Sequence, residues 1–352
     1  MRAAKMNLRS FALALLLTLP VVCCAAASGP GASTAPDSSK PHHKKGTLRV
    51  LYWNIQNGMW AGQPDNYQQF VDWVNAWNPD ICVFCEAAQI YYDGTNEHMP
   101  NEDRYLPAHW GEFCARWGHD YHIVTPRRVS TSTPFGLSNY PHAITARWPI
   151  DTVALVMGHK PDSVVVNPTG WYQLHVPGVE KPLNIVPVHL KHGKYGYGVP
   201  HDQRNASAER YEGEFFRVNE VTYILDHTVR QSKNPDKELW IMPGDYNSYS
   251  RRDNFKYKWN NASLGFTTQD YMLFHSPFFD LVSECFPDFF RPTCGNLRID
   301  YMYVSKPMLD ACTEIYEQPD SYTNRVHSGV ATFYIPSDHY PIIADFKISK
   351  MK

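Results

Sequence analysis

What the chain lacks narrows the field first. It has no basic stripe beyond Lys191–Lys194 and the pair Arg251–Arg252. Its formal net charge is −2, and setting aside the first 27 residues, with Arg2, Lys5 and Arg9 and no acid, leaves −5. A chain this acidic lacks the electrostatic footprint of a protein that grips nucleic acid without regard to sequence. A bound metal ion would supply positive charge locally, so chemistry on anionic esters stays open. No run is long and apolar enough for a permanent membrane span. The N-terminal stretch Phe11–Val22 has twelve residues, against roughly twenty for a transmembrane helix. No tandem repeat is visible. Charged residues are only 19% and hydrophobic ones 43%, which excludes a disordered chain. Aromatic content is high at 14%, from core packing or from a surface on which sugars or bases stack.

The 352 residues divide unevenly. Arg2, Lys5 and Arg9 precede the apolar Phe11–Val22, and Ala25–Ala27 offers small residues for cleavage. Residues 1–27 therefore read as a secretory signal peptide. The expected location is periplasmic or extracellular. Cys23 and Cys24 leave a lipid anchor open, although Val21 and Val22 stand where a small residue normally precedes a lipidated cysteine. Residues 28–46 are rich in Ser, Pro, Ala, Gly, His and Lys and read as a flexible linker. Residues 47–352 are long enough for one large domain. Six cysteines remain there, and export makes an oxidising compartment available. Cys82 and Cys85 fall on one strand and face opposite sides, so they should not bridge. Cys285 and Cys294 flank a short Pro-containing loop. They would either bridge, contributing about 2–3 kcal/mol, or stay as free buried thiols.

Leu48–Asn54 reads as a strand, and Tyr67–Trp77 as an amphipathic helix with Phe70, Trp73, Val74 and Trp77 on one face. Asn78-Pro79-Asp80 stops the helix. Ile81–Cys85 is an apolar strand with Glu86 at its end. Residues 87 to about 140 are loop-rich, with a short helix around Trp110–Trp117 and candidate substrate contacts at Arg127, Arg128 and Asn139. Strands follow at Ala143–Ala146, Asp151–Met157, Val164–Val166 and Trp171–His175, with hairpin-like spacing. Leu183–Leu190 is a further strand whose Pro187 implies an edge or bulge. Tyr211–Val229 is a second long helix, and Leu239–Met242 a buried strand that Pro243-Gly244 breaks. The second half thus repeats the strand–helix–strand order of the first. Residues 250–297 read mostly as loop. Arg298–Val304 and Ala344–Ile348 are the last strands. This order predicts a layered α/β protein with helices outside two sheets.

Polar residues stand at strand ends or inside apolar runs: Asn54, Glu86, His189, Asp245, Asn247, Asp300, Asp338 and His339. Each alone has an ordinary explanation. Glu86 caps a helix, Asp300 pairs with Arg298, His189 is a core histidine, and Asp245 and Asn247 are turn residues. Together they share a logic, because strand ends on one sheet edge converge in space. Asp245 and Asn247 lie two apart, on one face of an extended chain. Glu86, Asp338 and Asn54 are hard oxygen ligands suited to Mg²⁺ or Mn²⁺. His189 and His339 would donate to an anion, with Asp300 orienting one ring. That equipment suits metal-assisted attack of water on a phosphoester.

Tyr52–Asn54, Asp80–Glu86, Gly244–Asn247, Arg298–Tyr301 and Ser337–Pro341 resemble, in order, the motif set of the endonuclease/exonuclease/phosphatase superfamily, which includes deoxyribonuclease I, AP endonucleases and bacterial sphingomyelinases. Val188-His189-Leu190 resembles the strand-end histidine of the deoxyribonuclease I and sphingomyelinase branches. The resemblance covers nearly all of residues 47–352. It implies a four-layered α-β-β-α sandwich of two mostly antiparallel sheets. It implies Glu86 as the principal metal ligand, with Asn54 and Asp338 nearby. By the same resemblance Asp245 would orient or deprotonate water, and Asn247 would hold the water and the phosphate. His339 would contact the phosphate, oriented by Asp300. His189 would stabilise the transition state or protonate the leaving oxygen. Where some members carry Asp, this chain has Gln56, which puts a direct carboxylate from the first strand in doubt.

The expected function is metal-dependent phosphoester hydrolysis by an exported protein, a nuclease-like phosphodiesterase foremost. A phosphomonoesterase or a sphingomyelinase-like lipid diesterase is the alternative within enzymes. Phe278-Phe279 and Phe289-Phe290 are candidates for a lipid-inserting hairpin, with core packing as the competing role. Outside enzymes, the same fold would serve as a non-catalytic glycan- or surface-binding protein, which degraded motifs would favour; these are intact. Nucleic acid, lipid head group and sugar phosphate all remain candidate substrates, and no obligate protein partner is evident.

Overall fold

Two strand–helix–strand units set the architecture. The computed structural model describes residues 43–56, 65–88, 110–125, 140–158, 164–195, 200, 203, 211–316, 326–327, 334–335 and 337–352. Arg127, Arg128 and Asn139 lie outside them. In chain order the strands are β1 (Thr47–Asn54), β2 (Ile81–Cys85), β3 (Tyr121–Val124), β4 (Ala143–Ala146), β5 (Ile150–Val156), β6 (Thr169–Leu174), β7 (Leu183–Ile185), β8 (Val188–His189), β9 (Leu239–Asp245), β10 (Phe279–Asp280), β11 (Asp300–Val304), β12 (Cys312–Ile315), β13 (Val326–His327), β14 (Tyr334–Ile335) and β15 (Ile342–Lys347). The helices are α1 (Gln68–Trp77), α2 (Trp110–Ala115), α3 (Glu212–His227), α4 (Asn254–Tyr257), α5 (Thr267–His275), α6 (Leu281–Cys285) and α7 (Lys306–Ala311).

One sheet runs β12-β15-β1-β2-β4-β3. A second runs β10-β11-β9-β7-β6-β5, with β8 also pairing β9, and β13 pairs with β14 in a separate two-stranded ribbon. Neighbours are antiparallel except β1 with β2, and β9 with β7 and β8. Alternation along the strands builds the layers. Leu48, Val50 and Tyr52 of β1 face Leu183, Ile185, Leu239 and Ile241 between the sheets. Leu51 and Trp53 face outward, under Phe70, Trp73, Val74 and Trp77 of α1. On the far side Trp240, Met242, Tyr301 and Tyr303 pack under Val221, Ile224 and Leu225 of α3. Each such side chain contributes about 1.5–3 kcal/mol by leaving water. The result is the four-layered α-β-β-α sandwich. Cys82 packs outward and Cys85 between the sheets, so the two do face apart. No helix among the described residues is long and apolar enough to cross a membrane.

Several local expectations are corrected. Pro243-Gly244 does not break β9, which runs on to Asp245. Leu183–Leu190 is neither continuous nor at an edge; β7 lies between β6 and β9. One cause explains both. The register pairs Ile185 with Ile241 and Val188 with Gly244, so Pro187 falls opposite Pro243. Neither has an N–H to give, and the ladder lapses there without leaving a donor stranded. Gly244 is required just beyond, because a Cβ there would meet the Val188 carbonyl oxygen at 2.2 Å. Val164–Val166 is not a strand, since the Val166 N–H goes to the Glu220 carboxylate. In the supposed loop, α5 is held by polar contacts: Thr268 donates to Glu214, and Tyr303 donates to Gln269. Phe278 is core, whereas Phe289 is 57% exposed.

Cys285 does not face Cys294. The Cys294 backbone pairs with Leu297 and His339, while the Cys285 thiol lies near that of Cys312. All six thiols are free. The Cys312 contact, outweighing burial, holds the Cys285 thiol below its usual range. Oxidised glutathione should therefore close Cys285–Cys312, the two thiols passing their hydrogens to two released glutathione thiols. Closing this loop would stabilise the fold by about 3–4 kcal/mol. Peptide mapping that finds Cys285 joined to Cys294, or to nothing, would overturn this.

Acid sensitivity follows from a second local feature. His119 is fully buried. Its Nε2 donates to the Pro79 carbonyl, and its Nδ1 accepts from the Trp117 indole and the Thr145 hydroxyl. Burial pushes the ring from the usual 6.5 down to about 4. Below the usual value the unfolded chain takes up a proton that the fold refuses. Stability is then lost as pH falls from 6.5 toward 4, by about 3 kcal/mol for this ring. Urea unfolding at about pH 7 and pH 5 should show a smaller acid loss for His119→Asn than for the parent; equal losses would refute the assignment.

Candidate active site

Strand direction brings the predicted residues to one edge. β1 and β2 are parallel, so Asn54 and Glu86 stand at adjacent C-terminal ends. β8 and β9 are parallel too, with His189 opposite Asp245. β11 runs antiparallel to β9 and sets its first residue, Asp300, beside Asp245. β15 runs antiparallel to β1, so Asp338 and His339, just before it, reach the same edge. All eight polar residues expected from the sequence meet there.

Hydrogen bonds stitch the edge across both sheets. Asn54 Nδ2 donates to Glu86 Oε1 and to Asp245 Oδ2, each at 3.2 Å. Asn54 Oδ1 accepts from the Gln56 N–H at 3.1 Å. Asp245 Oδ1 accepts from the Asn247 N–H at 2.8 Å, and Asn247 Nδ2 donates to the Leu190 carbonyl at 3.0 Å. His339 Nδ1 donates to Asp300 Oδ2 at 2.7 Å, and the Tyr52 hydroxyl donates to Asp300 Oδ1 at 2.7 Å. His339 Nε2 lies 3.9 Å from Asp245 and 3.8 Å from Asp338. His189 Nε2 lies 3.8 Å from both Glu86 and Asp245. Glu86 and Asn247 have φ of 56° and 49°, in the left-handed region that non-glycine residues enter at a cost and mostly at functional sites.

The charges follow from this packing. Burial pushes the Asp245 carboxyl well above its usual range, and the Asp300 carboxylate pushes it further; His339 opposes them. For His339 burial works against the charged ring, but Asp300, Asp338 and Cys294 outweigh it and hold the ring well above its usual value. His189 goes the other way. Burial, then the nearby His142, His339 and His192 rings, keep it neutral. Its Nδ1 has no hydrogen-bond partner among the described residues. The Asp300–Arg298 pairing does not form: Arg298 binds Asp253 and Asp280.

Sequence reasoning missed the supports. Thr293 Oγ1 accepts from the N–H groups of Ile299 and Asp300. Ser337 Oγ ties the His339 N–H to the Asn54 carbonyl. The Cys294 thiol lies within 4.8 Å of ligand atoms of Asp338 and His339, and Asp245, Asp300 and His339 form a second such group. Tyr52 was within reach of the sequence, because it lies two residues before Asn54 on the same face. A cavity of about 810 Å³ opens beside Asn247, lined by Lys194, Tyr211, Arg217, Tyr249 and Trp259 among others.

No sequence-family model and no curated protein matches the chain. Solved structures do. A 3′ phosphatase, NExo from Neisseria, bound to a product DNA hairpin, superposes with a TM-score of 0.53 at 16% identity, over 85% of this chain and 99% of its own. An AP endonuclease from Archaeoglobus fulgidus gives 0.52 at 14%, over 85% and 99%. An endonuclease/exonuclease/phosphatase protein from Beutenbergia cavernae gives 0.52 at 17%, over 86% and 71%. At these identities the likeness is one of fold: the chain shares the layered α/β architecture of these phosphatase and endonuclease structures.

Proposed function

We propose that the chain is an exported, divalent-metal-dependent phosphodiesterase that directs water onto phosphorus. One observation carries this reading: Glu86, Asn54, Asp245, Asp300 and His339 are joined in a continuous hydrogen-bonded or ion-paired array at the seam of the two sheets. The donor set fits a dication. Burial, then Asp300 and more weakly Glu86, disfavour the charged form of Asp245, a penalty that a dication beside it would offset so that the carboxylate is free to take a proton, and hard carboxylate oxygens suit Mg²⁺ or Mn²⁺. Glu86, Asn54 and Asp338 would hold the ion, which when bound polarises the water and the phosphoryl oxygens.

The remaining groups divide the work. Asp245, its Oδ1 fixed by the Asn247 N–H, accepts the proton of the attacking water. His339, kept protonated over Asp300, donates to a non-bridging phosphoryl oxygen. His189 is neutral and acts as a hydrogen-bond donor to developing charge rather than as the proton source. Asn247 holds water and phosphate between them.

The cavity beside Asn247 favours a diester, since it gives a second substituent on phosphorus somewhere to sit. The 3′ phosphatase with its product DNA hairpin supports a nucleic-acid-like ester. Long duplex is disfavoured: Lys191 is buried, and Arg251 and Arg252 are paired with Asp270 and Glu284. A substrate panel tests the reading. Bis-p-nitrophenyl phosphate and short oligonucleotides should turn over with Mg²⁺ or Mn²⁺, stop with chelator, and resume on adding metal back. Turnover of p-nitrophenyl phosphate or sphingomyelin alone would move the assignment to a monoesterase or a lipid diesterase. No turnover across the panel would sink it.

A further inference from the structure

Beyond β8 the chain leaves regular structure, yet several of its backbone polar groups near the site are held by partners. Helix α3 claims several. Glu220 is fully buried and Arg217 is 3% exposed; three residues apart, they share one helix face. Glu220 Oε2 accepts from the Lys191 N–H at 2.8 Å, and Oε1 accepts from the Val166 N–H at 2.7 Å. Arg217 Nη1 donates to the carbonyls of Lys191 at 2.7 Å and Gly193 at 2.8 Å. Each grip lies next to a site residue. Asn167, beside Val166, donates to the His189 carbonyl at 3.0 Å. Leu190, beside Lys191, donates its N–H to the Asp245 carbonyl and accepts at its own carbonyl from Asn247 Nδ2. One turn earlier Glu214 binds Arg217 and accepts from the Ser248 hydroxyl, so α3 also holds the residue after Asn247.

We propose that Arg217 and Glu220 are positioning residues, through which α3 sets His189 and Asn247 against Asp245. The proposal rests on the phosphodiesterase reading for its kinetic consequence but not for its geometry. Both loops flanking His189 hang on the two oxygens of one carboxylate. Substituting its amide keeps the shape but turns an NH₂ toward one of the two N–H groups, leaving that loop without an acceptor. His339 hangs on Asp300 and Ser337, outside this grip.

The test is Glu220→Gln, read two ways. With bis-p-nitrophenyl phosphate, kcat should fall about 10- to 100-fold while KM changes little, as for a loss of alignment rather than of binding. In ring-nitrogen NMR of the histidines, the His189 signals should move and those of His339 should stay. Movement of both rings, of neither, or of His339 alone overturns the proposal, as does a kcat equal to the parent. If the parent itself shows no turnover, the phosphodiesterase reading falls and the ring signals still judge the grip. Should Glu220→Gln not fold, Arg217→Lys, which keeps the charge but reaches only one carbonyl, carries the same test.

Discussion

Asp245→Asn should lower kcat/KM by about 10²- to 10⁴-fold, the range expected when a proton acceptor is lost. The carboxylate is 2% exposed, with one oxygen on the Asn247 N–H and the other on Asn54 Nδ2. An amide fills the same space but cannot take a proton from water. One of its two ends must also face a donor with a donor, so the local array is disturbed as well. Glu86→Ala should cost at least as much, because it removes the carboxylate that shares Asn54 with Asp245. Chelator titration separates the two effects. The Glu86 variant should need far more metal for any residual rate, and the Asp245 variant about the same as the parent. Activity within tenfold of the parent for either variant, with the fold intact by circular dichroism, is incompatible with the assigned roles.

Arg298→Met is expected to give the largest loss of stability, about 3–5 kcal/mol, because it strands buried charge. Arg298 is 1% exposed. It donates to both oxygens of Asp280 at 3.0 and 2.8 Å, to Asp253 at 2.7 Å and to the Ser283 hydroxyl at 2.9 Å. Without the guanidinium two carboxylates remain in the interior. Burial alone would raise the Asp280 carboxyl, but Arg298 beside it holds it below the usual range. Such a depressed acid contributes stability that is present above the ordinary carboxylate pKa and lost as pH falls through the lowered value. The deficit of the variant should therefore be widest at neutral pH and narrow in acid. Adding Asp280→Asn should recover part of it. Urea midpoints at several pH values measure all three. Because Arg298 precedes β11 by only two residues, the same variant should also loosen Asp300 under His339.

Much of this fold was legible because the chain's periodicities are clean. Phe70, Trp73, Val74 and Trp77 face one way on a 3.6-residue repeat, and Leu48, Val50 and Tyr52 alternate with Leu51 and Trp53. The site residues were legible as a set, because polar groups at the ends of several apolar strands share one edge, although Glu86 or Asp245 alone has an ordinary explanation. What escaped depends on partners far away in sequence. The Tyr52–Asp300 hydrogen bond spans 248 positions, and the Asn54–Asp245 bond 191; no local pattern announces either. Pro243 misled because a proline's effect on a strand depends on what its neighbour needs from it, and the neighbour is another proline. Helix α5 was invisible because Thr268 and Gln269 anchor it by hydrogen bonds, which leave no hydrophobic period. Of the two cysteine readings, free thiols hold and the Cys285–Cys294 bridge does not, because loop length says how near two thiols can come, not which way the loop runs.

The facing prolines also interrupt the second sheet on the side where β7 and β8 pair with β9. Below them Leu183–Ile185 and Leu239–Ile241 are locked into the inter-sheet core. Above them only two register pairs, Val188 with Gly244 and His189 with Asp245, continue the parallel ladder. No main-chain donor at the prolines spans the boundary. The β8–β9 pairs can therefore open without first breaking the β7–β9 pairs, while β9 itself stays paired with β11 across the boundary. Rigidity for the core and give for the chemistry are thus separated within a single pair of strands, at the cost of one ladder rung.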